Sequence, residues 1–362
     1  MAKIRVVVAE DSLTVRKRLV DVLSEDPGIE VIGEAADGKR AIELCTTLRP
    51  DVMTVDMNMP GMSGLAVTEY VMAYCPTPIL IVSASTNRGE MYKTFEALAA
   101  GAVDVLDKPL GNEEANAWER KLLSTIKLVA RIRVITHPKG RLSLWAARQE
   151  SPLAAPDLPI PAAGGAGRYE LVALGASTGG PSALVDILRG LPRDYPLPIL
   201  LVLHIGAPFG VGFAEWLDGQ SPIRVMEAKD GEPLPRSGEA RVVMAPPDQH
   251  LVVRQGRLRL TTDPERHSCR PSVDVLFESL AVELGRRVAA CLLTGMGRDG
   301  ASGLLAIRQA GGRTIAQDEA TSVVFGMPRE AIVLGAADSI LPLDAIAPAL
   351  VAAARANAPE RT

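Results

Sequence analysis

Two groups of residues in this chain have types and spacings that could do chemistry. The first lies at the ends of short apolar runs within the first 110 positions. Glu10 and Asp11 follow Ile4–Ala9, Asp56 follows Val52–Val55, Ser83 follows Ile79–Val82, and Lys108 follows Val103–Leu106. In an open parallel sheet, ligands bind outside the carboxyl ends of the strands. Three carboxylates gathered there repel one another unless a cation intervenes, and Mg²⁺ prefers such hard oxygen ligands. A bound metal would screen an incoming phosphoryl group and let Asp56 act as a nucleophile toward phosphorus. Lys108 would neutralise a further phosphoryl oxygen, and the Ser83 hydroxyl would donate to one. Helix capping accounts for any one of these residues alone. All five in this order favour a shared pocket.

The second group starts where Leu171–Leu174 runs into Gly175-Ala-Ser177-Thr-Gly-Gly180. This fits the G-x-S-x-G elbow, whose glycines permit a sharp turn that exposes the hydroxyl. A dinucleotide-binding loop has a similar outline but fails here twice. Ser177 occupies the position of the middle glycine, and the next apolar run, Ile199–Leu203, ends in His204 rather than a ribose-binding acid. Neutral imidazole at a strand end can take a serine proton and return it to a leaving group. Asp299, in Leu293-Thr-Gly-Met-Gly-Arg-Asp-Gly300, is the best candidate for orienting that imidazole, and the Met296 amide could form part of an oxyanion hole. The order Ser177, His204, Asp299 is not that of the α/β-hydrolases. Ser177 could instead cap the helix starting near Gly180, and His204 could be a structural histidine. His137, His250 and His267 are less well placed as bases. Asp230, Asp248, Asp274 and Asp318 remain rival acids that spacing cannot exclude.

These residues need a scaffold of strands that end side by side. From residue 1 to about 125, apolar runs alternate with stretches of helical period: Ser12–Ser24, Lys39–Leu48, Leu65–Tyr74, Glu90–Ala100 and Glu113–Arg131. This predicts a flavodoxin-like, doubly wound parallel sheet over residues 1–125. Residues 126–168 read as a linker, since prolines at 138, 152, 156, 159 and 161 and the glycines at 164, 165 and 167 punctuate them. Alternation resumes over 169–357 and predicts a second doubly wound α/β domain. Its expected strands are Leu171–Leu174, Ile199–Leu203, Arg241–Ala245 and Ala289–Thr294; its expected helices are Gly180–Arg189, Val273–Leu284 and Ala301–Ala310. Leu251–Arg254 and Leu258–Leu260, joined by Gln255-Gly-Arg257, predict a β-hairpin inserted in the parallel sheet.

Bulk properties narrow the function class. A formal net charge of −4 and no Lys/Arg run leave no basic footprint for nucleic acid. No apolar stretch approaches the roughly 20 residues needed to span a bilayer, and Met1-Ala-Lys-Ile-Arg-Val6 enters a strand-like run directly. Cys45, Cys75, Cys269 and Cys291 are scattered without CxxC spacing, so neither a disulfide framework nor a zinc site is expected. A monomeric cytoplasmic protein is the expectation, with no membrane insertion.

Several blocks carry a family resemblance. Ala9-Glu-Asp-Ser12, Asp56-Met-Asn-Met-Pro-Gly-Met-Ser-Gly64, Val82-Ser-Ala84 and Asp107-Lys-Pro109 resemble the receiver domain of bacterial response regulators. The resemblance implies that Asp56 is the phospho-acceptor and that Glu10, Asp11, Asp56 and the Asn58 backbone carbonyl surround Mg²⁺. It also implies that Ser83 and Lys108 sense the phosphoryl group. Many receivers place an aromatic switch residue where this chain has Val105.

Gly175-Ala-Ser-Thr-Gly-Gly-Pro181, Met244-Ala-Pro-Pro-Asp-Gln-His250, Pro271-Ser-Val-Asp-Val-Leu-Phe277, the block ending at Gly300, Ala316-Gln-Asp-Glu-Ala320 and Val324-Phe-Gly-Met-Pro-Arg-Glu-Ala-Ile332 resemble the catalytic domain of the chemotaxis methylesterases (the CheB family). That resemblance implies catalysis by Ser177, His204 and Asp299 with help from the Met296 backbone, and no cofactor in this domain. The implied substrates are glutamyl methyl esters, and also glutamines, on chemoreceptors. The implied phosphodonor is the chemotaxis histidine kinase. It further implies that the unphosphorylated receiver occludes the active site. The family often has His-Met-Pro after the base, where this chain reads His204-Ile-Gly-Ala-Pro208. A catalytically silent, receiver-controlled docking protein is the rival reading, and a docking domain has no need of all three catalytic residues.

Overall fold

Short, wholly apolar runs become strands when both faces of a parallel sheet are covered by helices. The computed structural model describes residues 2–84, 88–108, 116–132, 134, 169–206 and 209–355. The chain divides into two compact units, Met1–Pro152 and Leu153–Thr362. Most of the expected linker and His137 lie outside the described residues.

The first unit contains β1 (Ile4–Ala9), α1 (Leu13–Glu25), β2 (Ile29–Ala35), α2 (Gly38–Leu48), β3 (Val52–Val55), α3 (Gly64–Tyr74), β4 (Ile79–Ser83), α4 (Arg88–Ala99), β5 (Asp104–Asp107) and α5 (Ala117–Val129). Its five-stranded sheet has the order β2-β1-β3-β4-β5 with parallel pairing throughout, the flavodoxin-like order. Helix α1 packs with α5, whereas α2, α3 and α4 pack in series. Capping explains where the helices start. The side chains of Ser12, Asp37 and Ser63 accept from the amides of Val15, Arg40 and Ala66. The strand order reverses between β1 and β3, so Glu10, Asp11 and Asp56 emerge at the switch point.

The second unit contains β6 (Leu171–Ala176), α6 (Gly180–Arg189), β7 (Ile199–Leu203), α7 (Phe213–Gln220), β8 (Arg224–Glu227), β9 (Arg241–Met244), β10 (His250–Arg254), β11 (Arg257–Thr261), α8 (Val273–Glu283), β12 (Val288–Leu292), α9 (Ala301–Gln309), β13 (Arg313–Gln317), α10 (Met327–Val333), β14 (Ser339–Leu341) and α11 (Leu343–Arg355). Seven parallel strands take the order β14-β13-β12-β6-β7-β9-β8. The chain winds outward from β6 on one side and from β12 on the other, which puts the switch point between those two strands. Leu200, Val202, Leu292 and Phe277 belong to the core beneath that point.

The hairpin differs from expectation. Strands β10 and β11 form a separate two-stranded antiparallel sheet rather than part of the parallel one. Arg254 pairs with Arg257, so the turn is the two-residue Gln255-Gly256, both with positive φ. The edge strands β8 and β14 carry no long apolar run, because an edge strand is covered on fewer sides than a central one.

Candidate phosphorylation pocket and active site

Within the first unit, Glu10, Asp11 and Asp56 bring carboxylate oxygens within 4.8 Å of one another. Lys108 Nζ lies 3.0 Å from Glu10 Oε1 and 2.9 Å from Asp56 Oδ2. Burial pushes the carboxyls of Glu10 and Asp56 above the ordinary carboxylate range, against the pull of Lys108. Burial alone would lower the Lys108 ammonium; its hydrogen bonds to Glu10 and Asp56 outweigh that and hold it above the ordinary lysine value. Negative charge is therefore crowded here, and the donor set fits a hard divalent cation. Asn58 donates its amide to Asp56 and its side chain to Glu90 Oε1 at 2.9 Å. Ser83 is buried at the end of β4, and its hydroxyl makes no hydrogen bond to another described residue. The Lys108 amide donates to the Ser83 carbonyl at 3.0 Å, which fixes these two residues side by side. A buried hydroxyl without a described partner is available to an incoming oxygen acceptor.

In the second unit, Ser177, His204 and Asp299 follow β6, β7 and β12, three adjacent central strands. The His204 amide donates to the Ala176 carbonyl at 3.0 Å, and the Ser177 amide donates to the Thr294 carbonyl at 3.0 Å. Ser177 does not cap α6. The N-cap is Gly179, with φ +77° and no side-chain cap bond, so the serine hydroxyl is left out of the helix. Gly295 sits so close that a Cβ there would come 2.7 Å from Ser177 Cβ. The Met296 amide makes no hydrogen bond to a described residue, and Gly297 follows it with φ +84°.

His204 Nε2 lies 2.8 Å from Asp299 Oδ2. The buried Asp299 carboxylate also accepts from Ser272 Oγ at 2.7 Å, the Val273 amide at 2.6 Å and the Asp274 amide at 3.2 Å. Burial alone would raise Asp299; the hydrogen bond and charge of His204, with Ser272 and Val273, hold it below the ordinary range. Burial alone would lower His204; its bonds to Asp299 and Cys269 outweigh that and hold it up at about 9. The carboxylate thus favours the imidazolium that forms when a nucleophile is deprotonated.

The rivals fall elsewhere. Asp230 accepts from the Leu260 amide, Asp318 from the Thr321 amide, and Asp248 occupies a left-handed loop position before β10. Asp274 accepts from the Gly303 amide at 2.7 Å and faces His267 Nε2 at 3.2 Å rather than His204. His250 accepts from the Ser272 amide at Nδ1 and faces the Pro264 carbonyl with Nε2, a structural role. Two residues without a role assigned from the sequence touch this pair. Ser272 both caps α8 and holds Asp299, and Cys269 Sγ stands 3.6 Å from His204 Nδ1. The Pro271-Ser-Val-Asp block was the available signal for Ser272. No spacing pointed to Cys269.

Residues 172–350 match the CheB methylesterase family model, and residues 6–117 match the response regulator receiver domain model. A protein-glutamate methylesterase/protein-glutamine glutaminase of Anaeromyxobacter dehalogenans is 46% identical over 347 residues, covering 96% of each chain. One from Pseudomonas aeruginosa is 43% identical over 354 residues, again covering 96% of each. The solved catalytic domain of Thermotoga maritima CheB methylesterase is 37% identical, spans 51% of this chain and 98% of its own, and gives a TM-score of 0.48.

Proposed function

Because the chain belongs to the CheB methylesterase family and carries a receiver domain, we propose that it hydrolyses glutamyl methyl esters on chemoreceptors through Ser177, His204 and Asp299, under control of phosphorylation at Asp56. The observation that carries this reading is the 2.8 Å contact between His204 and a buried Asp299, made beside a serine turn whose hydroxyl is not used in capping. Asp299 occupies Nε2, which leaves Nδ1 as the ring nitrogen for proton exchange. Ser177 Oγ attacks the ester carbonyl while His204 takes its proton. The Met296 amide donates to the developing oxyanion. Collapse of the tetrahedral species expels methanol, protonated by His204, and leaves an acyl-serine. Water attacks that acyl group with His204 again as base, releasing the glutamate carboxylate and restoring Ser177. With a glutamine side chain, the same steps release ammonia.

In the receiver, Glu10, Asp11, Asp56 and the Asn58 carbonyl would hold Mg²⁺, which supplies charge neutralisation for a phosphoryl group entering this acidic pocket. Asp56 supplies the attacking carboxylate oxygen, Lys108 pairs with a phosphoryl oxygen, and Ser83 gives its unused hydroxyl to another. The chemotaxis histidine kinase is the proposed phosphodonor. No described helix is long and apolar enough to cross a membrane, and a cytoplasmic location suits both the kinase and the receptor ends that carry such esters.

Ser177→Ala tests the catalytic assignment. It removes one hydroxyl and no core volume, so the fold should persist while methanol release from methylated receptors falls by several orders of magnitude. A variant keeping a tenth of the wild-type rate rules out Ser177 as nucleophile.

A further inference from the structure

Cys269 reaches His204 on a built support. Arg266 and Cys269 exchange backbone hydrogen bonds of 3.2 and 2.9 Å, and the two residues between them, His267 and Ser268, have φ of 52° and 60°. This two-residue turn is pinned from below. His267 Nε2 lies 3.2 Å from the buried Asp274, and His267 Nδ1 accepts from Arg298 Nε at 3.2 Å. The turn delivers Cys269 Sγ to 3.6 Å from His204 Nδ1, on the side of the ring that Asp299 does not occupy. Cys269 is only partly buried, so the pair is open to solutes.

The distances match metal ligation. Zn–S of about 2.3 Å and Zn–N of about 2.0 Å at a tetrahedral angle place sulfur and nitrogen about 3.5 Å apart. The supporting shell is also present. A histidine ligand commonly donates its other ring N–H to a carboxylate, which fixes the tautomer and raises ligand basicity. Asp299 accepts that N–H at Nε2, so the deprotonated Nδ1 directs its lone pair toward the thiol side. His204, Cys269 and Asp299 form a group whose ligand atoms all lie within 4.8 Å of one another.

We propose that Cys269 Sγ and His204 Nδ1 form a binding site for a thiophilic divalent cation of the Zn²⁺ type, with Asp299 holding the imidazole from behind, and that occupation of this site shuts off ester hydrolysis. Two protein ligands leave the remaining coordination positions to water, so binding is reversible and a chelator removes the ion. Near neutrality the cation displaces both the thiol proton and the Nδ1 proton of His204 to solvent, and takes the lone pair that His204 needs as a base. Sequence spacing hides the site, because its two ligands lie 65 residues apart.

The test uses the full chain and two metals. Co²⁺ bound to a thiolate gives a charge-transfer band in the near ultraviolet, a readout independent of catalysis. Wild-type protein should develop the band. Cys269→Ser and His204→Gln should lose or strongly weaken it, and Cys45→Ser, which alters the buried Cys45–Cys75 pair, should keep it. Zn²⁺ should inhibit methanol release and a chelator should restore it. Cys269→Ser should raise the half-inhibitory Zn²⁺ concentration at least tenfold, each variant being scored against its own metal-free rate. Absence of a cobalt–thiolate band in the wild type, or its full persistence in Cys269→Ser, overturns the proposal. The inhibition arm rests on His204 being the base. A Cys269-dependent band without inhibition therefore supports the site and counts against that catalytic assignment instead.

Discussion

Asp299 does more than orient a ring. Its two oxygens accept from His204, Ser272, Val273 and Asp274, so all of the acceptor capacity is directed at donors. Asp299→Asn replaces one oxygen by an NH₂ that must face donors, and it favours the wrong imidazole tautomer. A rate loss of roughly 10⁴ is expected from the tautomer effect alone, together with a lower melting temperature because buried donors lose their partner. If Asp299→Asn is nearly silent while Asp274→Asn is crippling, the orienting acid is misassigned. His204 adds a pH prediction. Held up at about 9, it is largely protonated near neutrality, and the neutral form is the base. With chelator present, kcat/KM should climb between pH 7 and 9 and level off above that; a flat profile contradicts the assignment. Cys269→Ala removes one of the contacts that raise His204, so the rising limb should move to lower pH. Stability should run the other way. A raised folded-state value stabilises the fold fully below the ordinary 6.5 and loses that contribution as pH rises through about 9.

At the scale of elements, three loops after adjacent strands must approach one another closely. Gly295 is where this shows. A Cβ there would meet Ser177 Cβ at 2.7 Å and Met327 Sδ at 2.3 Å. The methionine can turn away, but the serine turn is tied by the bond from its amide to the Thr294 carbonyl. Gly295→Ala should therefore displace the nucleophile and cut ester hydrolysis at least tenfold, because small misplacements of reacting groups are costly. Acetyl-phosphate labelling of Asp56 in the same variant should be unchanged. Equal loss of both activities would show general unfolding instead.

At the scale of the whole molecule, one unit is a receiver domain with Asp56 as its proposed phospho-acceptor, and the other is the methylesterase domain. Phosphorylation of Asp56 would add charge at the acidic pocket and create new acceptors for Lys108 and Ser83. A small phosphodonor with Mg²⁺ should raise methylesterase activity, and Asp56→Asn should abolish the rise while leaving basal activity in place. Deleting residues 1 to about 140 should give a catalytic unit faster than the intact unphosphorylated chain. Equal rates would exclude inhibition by the receiver and require activation through better receptor docking.

Both candidate sites are legible in the sequence, because a strand end followed by a polar residue is a local pattern. Runs such as Val52–Val55 and Ile199–Leu203 are apolar throughout because they are buried on both faces, and that composition marks them without a fold. The hairpin register is also local in origin, yet composition alone puts Arg257 in the turn. Only the backbone angles of Gln255 and Gly256 placed it in the strand. Which aspartate contacts His204 is only partly legible in the chain. Asp299 is the best candidate in one dimension, but spacing does not exclude Asp230, Asp248, Asp274 or Asp318, and the contact with His204 depends on β12 lying beside β6 in the folded sheet. Cys269 was invisible for the same reason. Its relation to His204 is a contact across 65 residues, made by a left-handed turn braced on Asp274, and no periodicity or spacing encodes a contact of that kind.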